Sequence, residues 1–300
     1  MRKMSKTKRF FKRVEKFFSY FKQRYIVWFL LYRSGAKELV RQYANRNHEA
    51  CGSIGAESPI WVCWWQGEEA MPDIAKACLR SIRRYACAHP VRLITAENFS
   101  EYVTFPPEIM EKQRRGLIDL THFSDILRVS LLARYGGIWM DATVLIPSRP
   151  LDEFIRPTET FWSCHHKPIY HNISRGGWVS FFWACGKGNL LPAFMADFHI
   201  RYWLRHDKLI VYLLLDYAFA LARKYIPAVH RMIEEVPLSA MGPLGKCLND
   251  EYRPEEWEYF CRDYDFHKLT YKIPLHRTTP GGKETYYGHI LAEYLEAGES

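Results

Sequence analysis

Three side chains in the middle of this 300-residue chain have the types needed to hold a charged, phosphorylated ligand: Asp125, Arg128 and Asp141, with Thr143 two residues further on. Asp125 and Arg128 stand i, i+3 in a stretch with helical spacing, and His122 precedes them by three, so carboxylate and guanidinium are neighbours on one stripe. Residues 138–146 read as a strand, in which alternation puts Trp139, Asp141, Thr143 and Leu145 on one face. Gly136-Gly137 stops the helix and returns the chain beside it. Asp125, Arg128 and Asp141 then meet at the carboxyl end of a central strand, where open α/β sheets take ligands. A carboxylate for a divalent cation, a guanidinium fork and a second acid for sugar hydroxyls suit a nucleoside diphosphate. The same spacing also fits a surface ion pair with Asp141 capping a strand, and spacing alone leaves both readings open.

The elements that position these groups read as follows. Residues 60–65 (IWVCWW) form a short apolar run between Pro59 and Gln66-Gly67, a buried first strand. Residues 71–85 have apolar positions at helical spacing, and 91–95 form a second strand. Strand, helix and strand with short connections make a βαβ unit and a parallel-centred sheet. Residues 107–135 read as helices broken near Gly116. Beyond Pro150 the pattern loosens, with a strand expected at 179–185 and a helix at 208–224.

Composition excludes several classes. A chain that is 48% hydrophobic and 16% aromatic buries a large core. The net charge of +9 is unevenly spread: residues 1–46 hold 14 Lys and Arg against Glu15 and Glu38, and the remainder carries a net −3. A basic arm on a near-neutral body argues against a nucleic-acid groove across the domain. Residues 1–33 interleave Lys and Arg with Phe10, Phe11, Phe17, Phe18, Tyr20, Phe21, Tyr25, Trp28 and Phe29 without Pro or Gly, the composition of an interfacial helix. The division expected is an arm over 1–50, resting on a membrane surface, and a catalytic domain over 51–300. The apolar run within 25–32 is too short for a span, which needs about 20 residues. Eight cysteines without a C-x-x-C pair read as reduced thiols, and together with the absence of a signal peptide they point to the cytoplasm and the inner face of the plasma membrane.

The run LTHFSDILR (120–128) followed by YGGIWMDAT (135–143) resembles the core of glycosyltransferases with a DXD sugar-binding motif, and more closely the capsular polysaccharide synthesis proteins related to glycosyltransferase family 32. IWVCWWQG (60–67) with Met71-Pro72, and HKLTYK (267–272), extend the likeness over roughly 58–272. The resemblance implies an α/β, glycosyltransferase A-type fold with a central mixed sheet. It also implies transfer of a hexose or N-acetylhexosamine, with retention, from a nucleoside diphosphate sugar to a polysaccharide or lipid-linked acceptor. It gives Trp61 and Trp65 to the donor base, Asp125 and Arg128 to the donor sugar and diphosphate, and Asp141 to the first acid of the motif. Its second acid is Thr143 here, and His267 is the third expected ligand of a divalent cation, Mn²⁺ or Mg²⁺. Alternatives are a sugar-phosphate transferase and an inactive polysaccharide-assembly scaffold.

Other features carry less. Cys164, His165, His166 and His171 have zinc-ligand composition, but no standard spacing, and Pro168 interrupts them. Asp216 lies inside an apolar helix and needs a partner or a polar role on the acceptor side. Residues 186–189 (GKGN) are too short for a phosphate-binding loop and read as a turn.

Overall fold

The computed structural model describes residues 6–46, 51–156, 159–165, 172–239 and 241–297, with side chains from residue 17 onward. Two helices, α1 (Lys6–Tyr32) and α2 (Ala36–Ala44), precede the first strand, β1 (Ile60–Cys63). Then come α3 (Asp73–Tyr85), β2 (Val91–Ile94), α4 (Phe99–Tyr102), α5 (Pro107–Arg114), α6 (Leu120–Tyr135), β3 (Gly137–Met140) and β4 (Val144–Leu145). The second half holds β5 (Phe161–Ser163), β6 (Phe182–Cys185), α7 (Leu190–Arg205), α8 (Leu214–Tyr225), α9 (Pro227–Glu234), β7 (Met241–Gly242), α10 (Pro254–Asp263), β8 (Phe266–Lys268) and α11 (Tyr286–Leu291).

A five-stranded mixed sheet runs β2-β1-β3-β6-β5, with β2, β1 and β3 parallel, β6 antiparallel to β3, and β5 antiparallel to β6. Its strands alternate between two cores. Trp61, Trp139, Trp183 and Cys185 face a layer built from α1, α2 and α6 to α9. Ile60, Val62, Ile138, Met140, Phe182 and Ala184 face a second core shared with α3. A small sheet, β4-β8-β7, lies beyond α3, where Leu145 joins a third core with α10 and α11. The expected α/β class with a central mixed sheet is what forms. Ile26, Leu30, Ala36, Leu39, Val40 and Tyr43 belong to the first core, so the last part of the basic segment is packed into the body.

The chain departs from the sequence expectation where a turn interrupts a pattern. Residues 138–146 are two strands: the Val144 N–H donates to the Asp141 carbonyl at 2.9 Å, folding Asp141, Ala142 and Thr143 into a tight turn. Trp64 and Trp65 lie past the end of β1, residues 179–181 precede β6, and α8 starts at Leu214 rather than 208. α7 was hidden because Leu191, Phe194, Met195, Phe198, Tyr202 and Trp203 are all buried and leave little polar contrast to reveal its period. Its start is set by Asn189, whose side chain accepts the Leu191 N–H at 2.9 Å, so the expected 186–189 turn is a helix cap.

The break at Gly116 (φ +72°) and the Gly136-Gly137 junction are as expected, but they differ in kind. Gly136 ends α6, its N–H donating to Leu132 O at 2.9 Å. At Gly137 (φ +101°) a Cβ would stand 2.3 Å from the Pro59 carbonyl, whereas at Gly116 it would meet nothing within 4 Å. Gly116→Ala is expected to cost about 1 kcal/mol from its left-handed backbone alone. Gly137→Ala adds a backbone collision and costs at least about 2–3 kcal/mol. Calorimetric melting of both variants reads the difference; equal midpoints would contradict the close approach of β3 to Pro59.

Candidate functional site

Asp119 starts α6: its Oδ1 accepts the His122 N–H at 2.9 Å and lies 2.8 Å from His122 Nδ1. Two turns on, Arg128 is buried with its guanidinium 4.6 Å from the centre of the Trp139 ring. Its Nη2 lies 3.3 Å from Asp125 Oδ1 and 3.2 Å from Asp141 Oδ1, while Nη1 donates to the Ser180 carbonyl. Asp141 Oδ1 also accepts the indole N–H of Trp139 at 2.9 Å, and Asp141 Oδ2 accepts Lys268 Nζ at 2.7 Å. Spacing anticipated that Asp125, Arg128 and Asp141 would meet, and they do.

A cavity of about 720 Å³ opens over this group, where β1 and β3 end. The connection from β1 runs to β2 on one side while β3 lies on the other, so the cavity sits at the topological switch point of the parallel strands. Arg128, Asp141 and Thr143 line it, as do Lys268, Lys272, Trp64, Trp65, Tyr212 and Tyr271. Among the described lining residues Asp141 is the one carboxylate, facing three cations.

Asp125 is not among the residues lining the cavity; it is buried behind Arg128. Burial raises its carboxyl to about 7, against the opposing pull of Arg128 and His122. Asp216 is a second buried acid, accepting the Trp178 indole N–H at 2.9 Å and Ser180 Oγ at 3.5 Å, and burial raises it to about 6. Asp141 goes the other way: burial would raise it, but the charges of Lys268 and Arg128 and the bonds from Lys268 and Trp139 outweigh burial and hold it below the usual carboxylate range.

Two more expected site residues lie outside the cavity. Trp61 points into the core, packed on Tyr102 and Tyr135, and its indole N–H donates to the Gly136 carbonyl at 2.9 Å. It buttresses the junction between α6 and β3; Trp65, past the strand end, reaches the cavity while its ring packs on Phe99 and Phe123. His267 is fully buried against Phe260 and Tyr264, and burial lowers its pKa to about 4. The reason is strand alternation in β8: with His267 turned into the core, Lys268 turns to Asp141. Lys268 is a residue that sequence reasoning missed, as are Lys272, Trp64, Tyr212 and Tyr271. It stood within the HKLTYK run, but its partner lies 127 positions away.

The donor set decides what Asp141, Thr143 and His267 can hold. Both Asp141 oxygens are engaged by N–H donors, two of them cationic, and His267 faces away. Among the described residues no three His, Cys, Asp or Glu side chains are grouped around a common point. These residues do not fit a divalent cation, and the positive charge at this point belongs to Lys268 and Arg128. In the Cys164–His171 segment Cys164 is buried, while His166 and His171 lie outside the described residues.

The raised pKa of Asp125 fixes the sign of a pH effect. Between about pH 4 and about pH 7 the folded chain keeps a proton on Asp125 that the unfolded chain releases, so this group lowers stability as pH rises through that window. Asp125→Asn removes the effect: its melting temperature relative to the unaltered chain is expected to climb by several degrees between pH 5 and pH 8. A difference that does not change with pH would contradict the burial of this carboxyl.

Neither a curated protein nor a solved structure matches the chain. The sequence profile of the capsular polysaccharide synthesis proteins does, over residues 6–290, from the basic helix to the last helix. The sheet, the switch-point cavity and the paired acids and cations described above are thus those of a member of the capsular polysaccharide synthesis protein family.

Proposed function

We propose that the chain is a glycosyltransferase of A-type fold, moving a sugar from a nucleoside diphosphate sugar to a polysaccharide or lipid-linked acceptor. Membership of the family supports a part in polysaccharide biosynthesis. The observation that carries the activity is the switch-point cavity, where Arg128, Lys268 and Lys272 face Asp141 as the one described carboxylate. Such a lining matches a doubly charged diphosphate, and Trp64, Trp65, Tyr212 and Tyr271 offer aromatic faces to a base and a sugar ring.

In this reading the bond from the anomeric carbon to the diphosphate oxygen breaks and one to the acceptor oxygen forms. The acceptor hydroxyl proton passes to the departing diphosphate. Negative charge grows on that oxygen, and Lys268 and Arg128, fixed before substrate arrives, stabilise it there. Asp125 is a positioning residue, holding Arg128 from behind. Retention is what the likeness to the DXD glycosyltransferases implies; with a single carboxylate among the described lining residues there is no acid and nucleophile pair for a double displacement, so the retaining route is attack from the face the diphosphate leaves.

Calorimetric titration with nucleoside diphosphates and their sugars tests this. One of them is expected to bind with chelator present, and Lys268→Met to weaken that binding roughly tenfold to a hundredfold. Turnover of the bound donor with an acceptor is expected to give a product free of phosphorus with the donor's anomeric configuration, read by NMR. A product retaining phosphorus means sugar-phosphate transfer instead, and failure to bind any nucleoside diphosphate, with or without Mn²⁺, leaves the scaffold reading.

A further inference from the structure

We infer that a second, basic-rimmed groove beside α1 holds the phosphate head of a lipid at an anionic bilayer surface. The groove is about 640 Å³ and lies between the C-terminal half of α1 and helices α8 and α9. Its apolar lining includes Val27, Leu31, Ala220 and Leu221. Its rim carries exposed Arg24, Arg175 and Lys224, none of which has a carboxylate partner among the described residues. Arg223 also lines it, but Glu234 neutralises that guanidinium. No carboxylate is found among the described lining residues. An apolar bed under cations that have no carboxylate partner among the described residues is complementary to an amphiphile with an anionic head.

The source of that amphiphile is read from the neighbouring face of α1. Phe18, Phe21, Tyr25, Trp28 and Tyr32 follow one another at intervals of three or four residues and are exposed, four of them by more than half. The stripe runs into the groove, since Trp28 and Tyr32 belong to both. Half-exposed aromatic rings beside exposed Lys22, Arg24 and Arg33 suit the headgroup level of a bilayer, where basic residues are drawn to anionic lipid. Among the described residues no helix is long and apolar enough to cross a membrane, so α1 would lie along the surface. A headgroup entering the groove would fix the orientation of the protein on that surface.

The inference does not rest on the donor reading, because lipid binding is measured without nucleotide. The full chain is expected to sediment with vesicles containing phosphatidylglycerol and not with phosphatidylcholine vesicles. Arg175→Glu with Lys224→Glu, and separately Phe18→Ser with Phe21→Ser, are expected to weaken this at least about tenfold, circular dichroism confirming that each variant folds. Dihexanoyl phosphatidylglycerol below its micelle concentration is expected to raise the melting temperature, inorganic phosphate to leave it unchanged, and Ala220→Trp, which fills the groove, to abolish the shift. Equal binding to both vesicle types would overturn the proposal, as would a phosphate effect as large as the lipid's. So would a lipid-free dimer in sedimentation that the Arg175 and Lys224 substitutions dissociate, which would give the groove to a second copy of the chain.

Discussion

A guanidinium cannot be taken out of water without counter-charges and acceptors around it, and the buried Arg128 gathers several. Asp125 stands behind it, Asp141 in front, the Ser180 carbonyl to one side and the face of Trp139 beneath. Each belongs to a different piece of chain: Asp125 to the same helix, Trp139 to β3, Asp141 to the turn after it, and Ser180 to the approach to β6. The cost of burying the charge is met only when all of these are in place, so the charge ties the correct register of helix and strands to the assembly of the site.

The geometry of the junction makes this convergence possible. β3 passes close to the Pro59 carbonyl, where Gly137 leaves no side chain in the way, and Trp61 holds the Gly136 carbonyl from the core side. The parallel pairing of β1 with β3 then aligns their ends, and the cavity opens above them. The small sheet completes the wall. Val144 pairs with Lys268 in register, which carries an ammonium from near the C-terminus back to the turn at Asp141. The buried acids behind Arg128 titrate near neutrality because the same packing that excludes water from the guanidinium excludes it from them.

What was legible in the sequence is local. The i, i+3 spacing of Asp125 and Arg128, the stop at Gly136-Gly137 and the βαβ opening each depend on a few consecutive residues, and the fold contains all three. The turn at Asp141 was not legible, because residues 138–146 form a mostly apolar run without Gly or Pro to mark a break, while the chain turns at Asp141. His267 and Lys268 show the limit most plainly. Adjacent residues of a strand point to opposite faces, so one of the pair had to reach the cavity, but which one depends on a register with β4 more than 120 positions away. Trp61 and Trp65 divide for a related reason: the strand ends at Cys63, and of these two only Trp65, beyond that end, reaches the cavity.

Asp141 bonds to Lys268 and Arg128, and in the proposed donor site it is a resident competitor for the diphosphate. A singly charged anion offers Lys268 and Arg128 little more than the carboxylate already gives and has no electrostatic reason to displace it. A diphosphate brings twice the charge and several more oxygens, enough to share or take over both cations. On the proposed donor reading, the carboxylate that offsets one of the three cations thereby sets a threshold that favours diphosphates over monoanions, a filter by valence rather than by shape.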